Sequence, residues 1–150
     1  MIRSMTDSSP RARFRIVIRR VEQPFEGGVE REIEWLCESL GLTPIGKDKA
    51  SAEIFREVVR ASEDGKGISS TELTDKINLS RTAVIHHLNN LQAAGLVVKN
   101  GRAYVSRSRS MVRTIQEVEA DIKRIFDRME ETAREIDRAF GLEWESQRRE

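Results

Sequence analysis

The stretch "LSRTAVIHHLNNLQAAGLVVKNGRAYV", Leu79–Val105, decides the architecture of this chain. Ser80 stands directly before an apolar pattern, Val84, Leu88 and Leu91, at helical spacing. A serine in that place is a strong helix start, because its hydroxyl oxygen accepts from a backbone amide that has no intrahelical partner. The spacing predicts a helix from Arg81 to about Ala94, stopped by Gly95. After it, LVV, KNGR and AYV predict two short strands joined by a tight turn, since Asn-Gly accepts positive backbone angles.

Working upstream, "SSTELTDKI" carries a capping box. The Ser69 hydroxyl can accept from the amide three residues on, while Glu72 reaches back to the Ser69 amide. This helix is short, ending near Ile77, with Asn78 and Leu79 as the turn. Another helix is predicted over Lys49–Ser62, burying Ala52, Phe55 and Val59 together with Val58, before EDGKG breaks the chain. Residues 13–46 read as a strand-helix extension. In RFRIVIRRV, Phe14, Ile16 and Ile18 alternate with Arg13, Arg15, Val17 and Arg19, the period of a half-buried strand. Gln23–Gly28 is a turn, and Val29, Ile33, Leu36 and Leu40 repeat at helical spacing up to Gly41. The linker LTPIGKD follows. Residues 1–12 are expected to be a mobile N-terminus, and residues 142–150 a C-terminal tail.

Composition bounds the function. At 150 residues, 38% apolar and 34% charged, the chain is one domain's worth with extensions. No run is long and apolar enough to cross a membrane. The opening MIRSMTDSSPRAR lacks the apolar centre of a secretory signal, so a cytoplasmic location is expected. The single Cys37 lies in a helical apolar pattern and reads as core; it supplies neither a disulfide framework nor a metal cluster. A net charge of +1 hides strong asymmetry. Residues 1–20 hold six basic side chains against one acidic, and residues 66–110 seven against two; residues 21–65 and 111–150 are acidic on balance. An anionic partner should therefore meet only part of the surface.

Helix, short helix, tight turn, helix, hairpin is the order of a winged helix-turn-helix. The expected fold is mainly α with a small β wing, the winged domain covering residues 47–107. A helix that enters a major groove needs an apolar stripe to hold it and a polar opposite face to meet DNA. Arg81, Thr82, His86 and Asn89 lie broadly opposite the stripe, with Ile85 among them. Ser80, Arg81 and Thr82 at the helix start suit phosphates and the nearest base edges, Asn89 suits adenine, and Arg81 suits guanine or a phosphate. Lys99 and Arg102 flank the wing turn, where charge rides over the DNA backbone.

The stretch "ISSTELTDKINLSRTAVIHHLNNLQAAGLVV" resembles the winged helix-turn-helix of ArsR-like and MarR-like prokaryotic regulators, of archaeal type. The matching features are "TEL", "LS", "TAV", "HL", "L" and "GLV" in the family's order and spacing, within roughly Lys49 to Val105. The resemblance implies a DNA-binding regulator. Two departures qualify it. TELTDKI carries no cysteine where metal-sensing members place a pair, so no metal or cofactor is expected. Ile85 is apolar where such readers often carry a polar contact; it suits a thymine methyl, or a surface that is not DNA. His86 and His87 point about a hundred degrees apart and do not share a metal easily. His87 reads as a half-buried packing residue and His86 as solvent- or ligand-facing. No catalytic arrangement is visible.

Ser110–Ala139 is one long helical pattern, within residues 108–141. Ile115, Val118, Ile122, Ile125, Met129 and Ile136 form a heptad seam, extended by Met111, Thr132 and Ala139. Thirty helical residues span roughly 45 Å, more than a winged domain needs, and so predict a homodimer. Phe126, Ala133 and Phe140 widen the seam in place of the charges that fix a parallel pair, leaving parallel and antiparallel pairing open. A dimer suits double-stranded DNA with an inverted repeat. The rival reading, from a different class, is a ribosome- or RNA-associated factor using the same head, supported by the basic N-terminal strand and Ile85. A protein–protein adaptor is a third.

Overall fold

A computed structural model describes residues 15–43 and 49–142. The expected N-terminus (1–12), most of the linker and nearly all of the tail lie outside the described residues. Along the chain come α1 (Gly28–Ser39), α2 (Ala50–Ala61) and a 3-10 turn (Ser62–Asp64). Then follow β1 (Ile68–Ser69), α3 (Ser70–Lys76), α4 (Arg81–Ala93), β2 (Val97–Asn100), β3 (Ala103–Ser106) and α5 (Met111–Ala139). The strands form one antiparallel sheet in the order β1-β3-β2. This is the expected winged helix-turn-helix. The chain divides into two compact units, Met1–Thr114 and Ile115–Glu150.

The first unit is built on α2. Ile54, Phe55 and Val58 are buried, as are Leu73 of α3, Val84, Leu88 and Leu91 of α4, Leu96 just before the sheet, and Val97 and Tyr104 within it; α2 packs on α4 and on β3. Burying each large apolar side chain contributes roughly 1.5–3 kcal/mol. The buried stripe of α2 differs from the expected one: Ile54 lies inside and Val59 is only half-buried. Two serines disguised it, because Ser51 and Ser62 sit on the buried face and read as polar in sequence. Both are hydrogen-bonded, as buried hydroxyls must be. The Ser62 hydroxyl donates to the Val58 carbonyl (2.6 Å) and accepts from the Ser106 amide (2.8 Å), tying α2 to β3.

Residues 15–21, the described part of the segment 13–21 expected to be a strand, correct that expectation, for none forms there; Arg13 and Phe14 lie outside the described residues. A strand needs a neighbour to share a ladder, and this segment has helix ends beside it instead. Its Arg15 amide donates to the Ala93 carbonyl (2.9 Å) and its Arg19 amide to the Ser39 carbonyl (2.7 Å). Those are the last residues of α4 and α1, whose terminal carbonyls have no intrahelical partner. Trp35 Nε1 donates to the Val21 carbonyl (2.9 Å), and Arg19 Nη1 to that of Thr43 (3.0 Å). The segment is a strap across two helix ends. In α1 only Cys37 is buried, Ile33, Leu36 and Leu40 being half-buried and Val29 exposed.

The wing also departs from expectation by one residue. Asn100 pairs with Ala103, so Gly101 and Arg102 form the turn and Asn100 ends β2. Gly101 alone takes a positive φ, +67°, as a turn with glycine at its first central position does. The expected Asn-Gly turn would set Lys99 directly opposite Arg102, and like charges in that relation repel. The observed register sets Lys99 opposite Tyr104. The two-residue strand β1, too short to show a period, adds Ile68 opposite Tyr104 and Ser69 opposite Ala103. Gly67 precedes it with φ +76°, and a Cβ there would meet the Tyr104 carbonyl oxygen at 2.5 Å. A Cβ on Gly101 would meet nothing within 4 Å. Gly101→Ala should therefore cost only the left-handed backbone penalty, about 1–2 kcal/mol. Gly67→Ala should cost clearly more, because β1 must shift as well; paired urea titrations would check the difference.

Candidate nucleic-acid interface

Helix α3 begins with the expected capping box. The Glu72 amide donates to Ser69 Oγ (3.1 Å), and the Ser69 amide donates to Glu72 Oε1 (3.0 Å). Leu73 and Ile77 are buried and fix the turn into α4. Ser80 then caps α4, its Oγ accepting from the Ala83 amide (3.1 Å). That bond uses the oxygen and leaves the hydroxyl proton free to turn toward a phosphate. The first helical bond of α4 runs from the Val84 amide to the Ser80 carbonyl (3.0 Å). The amides of Arg81 and Thr82 precede it, at the end of the helix that favours anions.

Because Val84, Leu88 and Leu91 are buried, the opposite side of α4 is turned outward. Ser80, Arg81, Thr82, His86 and Asn89 are exposed, and Ile85 is half-buried at the edge of that face. At 100° per residue these α4 positions share an arc of about 140°. No acidic residue interrupts α4. The two histidines separate as their geometry requires. The ring of His87 is half-buried, with Nδ1 at 2.9 Å from Ser51 Oγ of α2. That serine also lies 3.3 Å from the Leu42 carbonyl, so His87 joins α4 to the scaffold. The ring of His86 faces solvent, its Nε2 at 3.3 Å from Asn90 Nδ2.

On the wing, Lys99 and Arg102 are both exposed. The Lys99 ammonium stands 5.6 Å from the centre of the Tyr104 ring, within reach of the ring's negative face. Helix α4 packs on β2, and the Leu96 amide donates to the Leu91 carbonyl (3.1 Å), so α4 and the wing belong to one body. Two residues that position this surface escaped the sequence reading. Asn90 holds His86, a relation its position four residues on could have signalled. Tyr104 steers Lys99, which only the strand register reveals.

Other candidate chemistry falls away from this face. Burial, then the neighbouring Glu38 and Glu34 carboxylates, push the Cys37 thiol up to about 12, leaving it a core residue with negligible thiolate. Among the described residues no group of three or more His, Cys, Asp or Glu could hold a metal ion. Among the same residues no helix is long and apolar enough to cross a membrane. Of the N-terminal arginines, Arg15 is exposed and Arg19 is half-buried in its bond to Thr43.

Residues 61–98 match the family model described as winged helix-turn-helix DNA-binding. The match runs from the end of α2 through α3, the turn and α4 into β2. No curated protein and no solved structure matches the chain. The wing tip, the strap with α1, and α5 all lie outside the matched winged-helix segment.

The capping box that orients α3 has a pH signature. The Ser69 amide bond, then the Ser69 hydroxyl, and further the Lys76 charge hold the Glu72 carboxyl below the usual glutamate range. A depressed folded-state value stabilises the fold above the unfolded glutamate pKa, and that gain is lost as pH falls through the folded value. Wild type should therefore melt above Glu72→Gln at neutral pH, with the gap closing in acid; melting temperatures measured across a pH series would check it.

Proposed function

We propose that this protein is a DNA-binding transcriptional regulator that acts as a homodimer in the cytoplasm. In this reading α4 enters the major groove and the wing lies on the backbone. Arg81, Thr82, His86 and Asn89 face base edges and phosphates, with Ile85 against a thymine methyl. Ser80 and the first amides of α4 meet a phosphate, and Lys99 and Arg102 hold the backbone beside it. The observation that carries the reading is the outer face of α4: exposed, capped, free of acidic residues, and joined to a basic wing. The similarity of residues 61–98 to DNA-binding winged helices supports the same ligand. The quoted motifs support placement with ArsR-like and MarR-like regulators of archaeal type. Two heads related by a twofold axis suit an inverted repeat whose half-sites are about 34 Å apart.

A ribosome- or RNA-associated role is the second reading, favoured by the exposed Arg15 and Arg20 and the half-buried Ile85. Crosslinking in the native cells, with sequencing of the attached nucleic acid, separates the two. Promoter segments sharing an inverted repeat are expected; ribosomal RNA at one structural location would overturn DNA as the ligand. On the recovered operator, Arg81→Ala should weaken binding by about 1–3 kcal/mol and relax specificity at one position. Lys99→Ala should weaken all sequences alike and reduce the salt slope by about 1. Fluorescence anisotropy over a salt series would measure both.

A further inference from the structure

Of the twelve large apolar side chains exposed among the described residues, five lie on α5, and Phe140 and Leu142 follow directly after it. Its seam changes character along its length. Val118 is buried (3% exposed), and Ile115 and Ile122 are half-buried. From Ile125 onward the apolar side chains face solvent: Ile125 is 40% exposed, Phe126 and Met129 55%, Ile136 51% and Phe140 75%. A shallow groove lies among Ile125, Arg128, Met129, Thr132, Ala133 and Ile136. An apolar stripe of that extent on a helix calls for a partner.

We propose that the partner is α5 of a second copy, running antiparallel, with the twofold axis crossing between Glu130 and Glu131. The argument is the order of charges and sizes beside the seam. With Ile115, Ile122, Met129 and Ile136 at position a, the g positions are Thr114, Asp121, Arg128 and Glu135, and the e positions are Glu119, Phe126, Ala133 and Phe140. In an antiparallel pair g faces g and e faces e. The proposed register sets Arg128 against Glu135 of the second copy, twice by symmetry. It also sets Phe126 against Ala133 and Met129 against Thr132, large on small in each case, as interlocking surfaces need.

The alternatives fail on charge or exposure. A twofold axis at Asp127, one step toward the N-terminus, opposes Arg128 to Arg128 and Asp121 to Glu135. An axis at Arg134 opposes Glu135 to Glu135. An axis between Lys123 and Arg124 restores opposite charges, but it overlaps the two helices only over residues 111–136 and leaves Phe140, 75% exposed, beyond the paired stretch. A parallel pair sets every charged g position opposite Phe126, Ala133 or Phe140, so no ion pair forms. Glu135 already meets Arg138 of its own helix, so Arg128 of the second copy would extend an existing pair.

The inference rests on the homodimer reading and is indifferent to which nucleic acid is bound. Sedimentation of the full chain tests it, with circular dichroism to confirm that α5 stays helical. Arg128→Glu and Glu135→Arg should each weaken the dimer roughly 10-fold, and the double reversal should restore it. Two single variants without effect would overturn antiparallel pairing in this register. A dimer tightened by Glu135→Arg would instead place the axis at Asp127, where that arginine meets Asp121. A wild-type chain that sediments as a monomer at micromolar concentration would overturn the homodimer itself.

Discussion

Val84, Leu88 and Leu91 of α4 are buried against a scaffold centred on Ile54, Phe55 and Val58 of α2, and this contact orients everything else in the first unit. A helix carries side chains all round its axis, so once one stripe is committed to the core, the identity of the outward face is settled. His87 marks the boundary, hydrogen-bonded to Ser51 inside, while His86 one residue earlier stands in solvent. The wing inherits its position from the same contact, through the backbone bond between Leu96 and Leu91. Removing the stripe would not merely weaken the fold; it would leave the outer residues without a defined direction.

Polar groups at the ends of elements do the second share of the work. Ser69, Ser80 and Ser110 each accept from an amide at the start of a helix. Such bonds satisfy donors that the helix itself leaves open. Ser62 serves a strand in the same way, taking the amide of Ser106 while donating to the Val58 carbonyl. At the opposite ends of α4 and α1, the strap of residues 15–21 provides the amides that the terminal carbonyls lack. The segment is therefore part of the scaffold that holds α4, although it lies outside the matched window.

The second unit follows a different rule. Its amphipathic helix has two or three apolar side chains per heptad over the exposed stretch, at e as well as at a and d, more than one narrow seam requires. Acidic and basic side chains elsewhere on its surface pair within the helix, as Lys123 does with Asp127 (3.0 Å) and Arg134 with Glu130 (3.5 Å). Those pairs lend local support of a few tenths of a kcal/mol each. They do not cover the apolar stripe, which remains the feature any account of α5 must explain.

What the sequence determined by itself were the properties that depend on neighbours a few residues apart. The capping box at Ser69, the cap at Ser80, the period of α4 and the uninterrupted run of α5 are all local, and each helix lies within a residue or two of its expected bounds. The face of α4 that meets solvent followed from that period. Tertiary structure decided whatever needs a partner distant in the chain. Residues 15–21 have the alternation of a strand, yet strand formation depends on a neighbouring edge, and helix ends stand there instead. The buried stripe of α2 was masked by Ser51 and Ser62, whose partners lie on α4 and β3. The hairpin moved by one residue because pairing energy belongs to opposed side chains: Lys99 opposite Tyr104 is favourable where Lys99 opposite Arg102 is not.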